Sequence, residues 1–182
     1  MKSGGLRKFG AIPVLALAIT FVLSGTALAD DDDGHSLQGT WRVQVTQYNC
    51  ATGTPLPSFW SLLSFHRGGT ESESTSNPAL QPGQRTSGYG FWKPAHEGGD
   101  FCSTDPKADY FSATDAFILS DSPTNPPGLK KGVQKIVQCI TMKDYDSWTS
   151  NAIVTFFNND GTTTAGCAKA AGVRLSGSTT EP

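Results

Sequence analysis

The chain has 182 residues, 37% of them hydrophobic and 16% charged, with a formal net charge of −2 at pH 7. Lys2, Arg7 and Lys8 lie in a leader, and without them 11 basic residues face 16 acidic ones. That balance argues against nucleic acid or an anionic membrane surface as a partner.

Residues 1–29 read as an export signal. The three basic residues form its n-region, Ala11 to Gly25 its apolar core, and Ala27-Leu28-Ala29 a small-x-small cleavage site. The apolar run is too short to cross a bilayer comfortably and no stop-transfer pattern follows it, which favours cleavage over the alternative of an uncleaved membrane anchor. No cysteine stands at the cleavage point and no arginine pair precedes the core, so neither a lipid anchor nor twin-arginine export is expected. The mature protein is expected in the periplasm or outside a bacterial cell, with no membrane contact after cleavage. It would retain 153 residues, enough for one domain with a real core. Residues 30–36, with the run Asp30 to Asp33, read as a disordered acidic tail without the interleaved spacing of a metal site. The domain is expected over 37–176, with a flexible C-terminus at 177–182.

Gly39 to Thr46 is the first strand, with Trp41, Val43 and Val45 on one face and Arg42, Gln44 and Thr46 on the other. Asn49 to Ser58 reads as a loop rich in turn formers, Gly53, Pro55 and Pro57. Phe59 to His66 reads as the second strand, and Gly68-Gly69 as its hairpin, since both glycines take positive φ at little cost. Thr70 to Thr75 is polar on both faces and reads as a short third strand. The segment through Pro78, Pro82 and Gly83 is a long loop, placed to border the mouth of an open barrel.

Thr86 to Lys93 packs Tyr89, Phe91 and Trp92 around Gly88 and Gly90. Glycine within a strand marks a bend or a close approach to the backbone. The aromatics either line a cavity or fill a core. Asp109 to Leu119 is the next strand, followed by a proline loop at Ser120 to Gly128 and a further strand over Leu129 to Met142. Trp148 to Phe157 alternates clearly, Asn158-Asn159-Asp160-Gly161 closes a hairpin, and Thr162 to Ala168 returns toward Arg174. A short helical turn is expected near Ala168 to Ala171. Seven or eight short strands without a helical stripe predict an all-β fold, an antiparallel barrel or sandwich. Closure would remove exposed strand edges, and the Trp41 and Arg174 endpoints suit a sheet closed on itself. Both favour a single antiparallel up-and-down barrel, with a β-sandwich as the alternative.

No local pattern announces catalysis. A Gly-x-Ser-x-Gly elbow and a phosphate-binding glycine loop are both absent from the sequence. His35 lies in the tail, whereas His66 and His96 could join Glu71 or Glu97 in proton transfer or metal binding, although no spacing demands it. Glu71 and Glu73 share a strand face and read as a wetted surface that discourages edge pairing. No metal and no cofactor is expected. Cys50, Cys102, Cys139 and Cys167 lack any Cys-x-x-Cys spacing and imply two disulfides, with three connectivities open.

The Gly39-x-Trp41 opening with a late Arg174 resembles the lipocalin and wider calycin barrels. In that family the tryptophan closes one end of the barrel and the arginine packs across its indole. The resemblance makes Gly39, Trp41 and Arg174 structural. With Trp41 and Arg174 at one end, the first and last strands become antiparallel neighbours. Cys50, nine positions past Trp41, then stands level with Cys167, seven before Arg174, which pairs Cys50 with Cys167 and leaves Cys102 with Cys139. The resemblance also implies a carrier for an apolar small molecule, lined by Phe59, Leu63, Phe65, Phe91 and Phe111, although Trp60 and Leu62 compete with Phe59 and Leu63 for the inward face. An enzyme of cyclase or isomerase type and a solid barrel that works through its surface are the alternatives. The sequence leaves the oligomeric state open.

Overall fold

A computed structural model describes residues 36–96, 101–120 and 129–176. Residues 1–29, read above as an export signal, the acidic run with His35, Glu97, the proline loop beyond Ser120 and the C-terminal segment 177–182 lie outside the described residues. Eight strands follow in chain order: β1 (Gly39–Tyr48), β2 (Pro55–Phe65), β3 (Thr70–Thr75), β4 (Gly88–Pro94), β5 (Tyr110–Leu119), β6 (Lys130–Met142), β7 (Ser147–Asn158) and β8 (Thr163–Arg174). Each is antiparallel to its neighbours, and β8 pairs back on β1 to close an up-and-down barrel. A 3₁₀ turn at Phe101–Thr104 is the only helical element among the described residues.

Two expectations about elements are corrected. Ala168 to Ala171 forms no helical turn; it continues β8 in register with Gln44 to Gln47 of β1. Pro55 and Pro57 belong to β2 and not to the preceding loop. That part of β2 pairs with β1 alone, because pairing with β3 begins only at Ser61, and an open flank tolerates residues without an N–H.

The hairpins follow their turn chemistry. Gly68 and Gly69 have φ of 91° and 83° between β2 and β3, and Gly161 has φ of 84° between β7 and β8. Alternation then sends one set of side chains inward. One end of the barrel is filled by Leu37, Trp41, Val43, Phe65, Ile140 and Trp148. The indoles of Trp41 and Trp148 meet edge to face at 6.0 Å, and Phe65 stands 6.4 Å from Trp148. Trp41 Nε1 donates to the Leu37 carbonyl at 2.9 Å, so this buried indole is satisfied.

Arg174 seals that end. Its guanidinium lies 4.1 Å from the Trp41 ring centroid and 4.4 Å from that of Tyr145. It donates to the carbonyls of Tyr145, Ser36 and Gln38. Gly39 is explained by the same contact: its φ is 127°, and a Cβ there would stand 2.7 Å from Arg174 Nη1. The Gly-x-Trp opening and the late arginine are thus parts of one packing unit.

Both disulfides join the cysteines paired above. Cys50–Cys167 ties the end of β1 to the start of β8 near the opposite, open end, and Cys102–Cys139 ties the 3₁₀ turn to the outer face of β6. Two intact disulfides fit an oxidising compartment.

Candidate functional site

The inner wall changes character beyond the plugged end. β3 brings in Glu71 and Glu73, β5 brings Ser112 and Thr114, and β6 brings Gln134 and Gln138, all buried. Register explains the grouping. Around the barrel Phe65 pairs with Glu71, Glu71 with Gly90, and Gly90 with Thr114. Gly90 has no side chain, so Glu71 reaches across β4 and its Oε1 accepts the hydroxyl hydrogen of Thr114. Gly88 opens a second slot in the same strand. A Cβ there would lie 2.9 Å from Glu73 Oε2 and 2.7 Å from Thr114 Cγ2.

Arg85 fills that second slot. It arrives from the β3–β4 loop, its side chain 5% exposed, and donates to Glu73 Oε2 and to Gln134 Oε1. Ser61 also donates to Glu73, at 3.3 Å. Gln138 completes a separate chain, accepting from Ser150 at 3.0 Å and donating to Ser112 at 2.9 Å. Nearly every polar group in this belt is thus bonded, as a buried network requires.

Two oxygens on β3 are the exceptions: Glu71 Oε2 and Thr75 Oγ1 are buried and have no partner. Burial raises the pKa of Glu71 to about 7, against the pull of hydrogen bonds from Thr114 and Ser112 and with a further push from the nearby Glu73. A carboxyl that titrates near neutrality inside a low-dielectric lumen can donate a proton below that pH and accept one above it.

Next to this belt is a cavity of about 50 Å³. Val43, Val45, Phe59, Leu63 and Val154 make its apolar side, and Glu73, Thr114, Gln134 and Gln138 its polar side. The volume holds a few waters or a very small organic group, and falls well below the several hundred Å³ of a drug-sized pocket.

The expected ligand-lining residues divide into three groups. Phe59 and Leu63 face this cavity, with Trp60 and Leu62 about half exposed on the outside. Phe65 belongs to the plugged end. Phe91 and Phe111 do not line the interior: Phe91 is 50% exposed, and Phe111 packs on the outer wall with Cys102, Ala108 and Cys139. Their rings meet each other at 5.8 Å on that outer face. The inward positions of their strands are the glycines of β4 and the Ser112–Thr114 set of β5, which alternation leaves for the opposite parity.

The carboxylates require a larger correction. Glu71 and Glu73 are not a wetted surface but the most buried acids described. The tight Gly68-Gly69 hairpin pairs Phe65 with Glu71, and directly paired residues share a face, so an inward Phe65 carries Glu71 inward. His66 is not their partner. It is exposed, bonded to Ser72 on the outer face, and His96 is exposed as well. Among the described residues no group of three or more His, Cys, Asp or Glu is placed to hold a metal. Arg85, Gln134 and Gln138 escape a sequence reading. Arg85 sits in an aperiodic loop, and the glutamines alternate with Lys and Val in a strand whose inward parity only the barrel decides.

No family model, no curated protein and no solved structure matches the chain.

Proposed function

We propose that this chain is an exported, calycin-like barrel that holds a small molecule in its interior. The observation that carries the reading is the two-sided cavity: an aliphatic wall facing a hydrogen-bonded belt built on β3, β5 and β6. A purely apolar ligand, the simplest carrier cargo, would leave that belt facing hydrocarbon. The better fit is a small, net-neutral molecule with an apolar body and one carbonyl or hydroxyl group. Neutrality follows from the charges present. Glu73 already compensates Arg85, so below about pH 7, where Glu71 holds its proton, an ionised ligand would enter the lumen without a counter-charge. Two disulfides, together with a leader that reads as an export signal, support an oxidising compartment, periplasmic or extracellular.

A second reading has one specific observation in its favour. Glu71, poised near neutrality with an unpartnered oxygen, is the group an isomerase would use to move a proton between two atoms of a bound molecule. Thr114 links it to the cavity wall.

Purification of the exported protein under native conditions, followed by mass spectrometry of what denaturation releases, tests both. The carrier reading expects one small molecule in stoichiometric amount, lost when Leu63→Trp fills the cavity. Two isomers released from wild type, but only one from Glu71→Gln, would favour proton transfer. An empty barrel, with no saturable binding of small ketones or alcohols, would overturn both readings.

A further inference from the structure

The β3–β4 loop encloses a second space, of about 450 Å³, that shares only Thr75 and Asn77 with the interior cavity. A single segment, 74–87, supplies its whole wall. The hydroxyl residues Ser74, Ser76, Thr86 and Ser87 line it together with Arg85, and no carboxylate does. The loop holds this shape with its own bonds: Leu80 N donates to the Asn77 carbonyl and Gln84 N to that of Gln81. Its return is clamped to β5, where Thr86 N donates to the Phe117 carbonyl.

Arg85 stands between the two spaces. A guanidinium keeps its charge at every accessible pH and offers five N–H donors. Here Nε serves Gln134, Nη1 serves the Thr86 carbonyl and Nη2 serves Glu73. Two N–H groups therefore have no acceptor among the described residues. Buried donors without acceptors are costly, and a planar guanidinium matches the paired oxygens of an oxyanion.

We propose that this loop chamber is a binding site for a small oxyanion of carboxylate or phosphate type, held by the spare N–H groups of Arg85 and the surrounding hydroxyls. Bound on the spare N–H groups, the anion shares the guanidinium's charge with Glu73 and weakens that pair, so the loop reports its occupancy to the belt inside the barrel. The site is distinct from the interior cavity and does not depend on what that cavity holds.

The test is titration of the folded, disulfide-intact protein with acetate and, separately, inorganic phosphate, at constant ionic strength, followed by the Thr86 amide resonance. Saturable shifts are expected, and the tighter of the two anions identifies the head group. Arg85→Met should weaken binding at least tenfold. Glu73→Gln, which removes the competing charge but keeps its shape, should tighten it about tenfold. Lys135→Met, which removes a surface cation, should leave it unchanged. If Arg85→Met does not fold, Glu73→Gln decides. No saturation with either anion, equal binding by Arg85→Met, or weaker binding by Glu73→Gln would overturn the proposal.

Discussion

The two halves of this barrel solve opposite problems with the same alternating strands. At the plugged end Trp41, Phe65, Ile140 and Trp148 interlock, and the Arg174 guanidinium stands over Trp41 with donors spent on carbonyls. Toward the mouth the inward positions carry two glutamates, two glutamines and an arginine from a loop, around unfilled volume. Burying apolar rings stabilises a fold at roughly 25 cal/mol per Å², whereas burying ionisable groups gives little or costs energy. The plugged end is therefore where stability resides, and the belt contributes little to it.

That contrast can be broken in stages. At the mouth, where packing is thin, the covalent tie matters most. Replacing both Cys50 and Cys167 by Ser reopens a link across 117 residues, and the chain-entropy estimate is a loss of about 5 kcal/mol. Urea denaturation of the oxidised wild type against the double variant measures it. Trp41→Ala should cost on the order of 3–5 kcal/mol by the same assay, because the vacated volume lies between Trp148 and Arg174.

Glu71→Gln should go the other way. The carboxyl ionises near 4.5 when unfolded and near 7 when folded, so the folded state holds its proton more tightly. Stability is full below about pH 4.5, falls as pH rises toward 7, and is flat beyond. Glutamine removes that penalty. The variant should gain up to about 3 kcal/mol at pH 8 and almost nothing at pH 4. A pH series of denaturation midpoints shows whether the gain has that shape. Arg174→Met gives up the cation–π contacts with Trp41 and Tyr145, each ~0.5–2 kcal/mol, together with hydrogen bonds to the carbonyls of Ser36, Gln38 and Tyr145. It should cost less than Trp41→Ala because Met keeps much of the aliphatic cover.

How much was legible in the sequence follows the same division. The plugged end was readable because its signals are local and redundant: Gly39-x-Trp41, clean alternation, a glycine hairpin, and cysteines whose heights match only if β1 and β8 are neighbours. Strand existence and order were readable for similar reasons. The belt was not. Its parity in β3 depends on which face of β2 points inward, and Phe59 and Leu63 looked no better than Trp60 and Leu62 until the sheet closed. A polar hairpin of alternating Ser and Glu resembles a solvent-facing edge at every local test. Only closure, which puts Gly88 and Gly90 opposite Glu73 and Glu71, shows the carboxylates turned inward; a side chain at Gly88 would meet Glu73 itself, and one at Gly90 the backbone of β5 at Ala113. The β4 glycines were the one available clue, since strand glycines mark close approach. The aromatics beside them, Tyr89 and Phe91, drew attention to the wrong face.

The central claim is that the barrel holds a carboxyl poised near neutrality, and carbon-13 NMR of side-chain-labelled glutamate measures it directly. The Glu71 carboxyl resonance, assigned by its loss in Glu71→Gln, is predicted to titrate with a midpoint near pH 7 while the disulfides stay intact. A midpoint near 4.5, the value of a solvated glutamate, would contradict the account and return Glu71 to an ordinary polar wall.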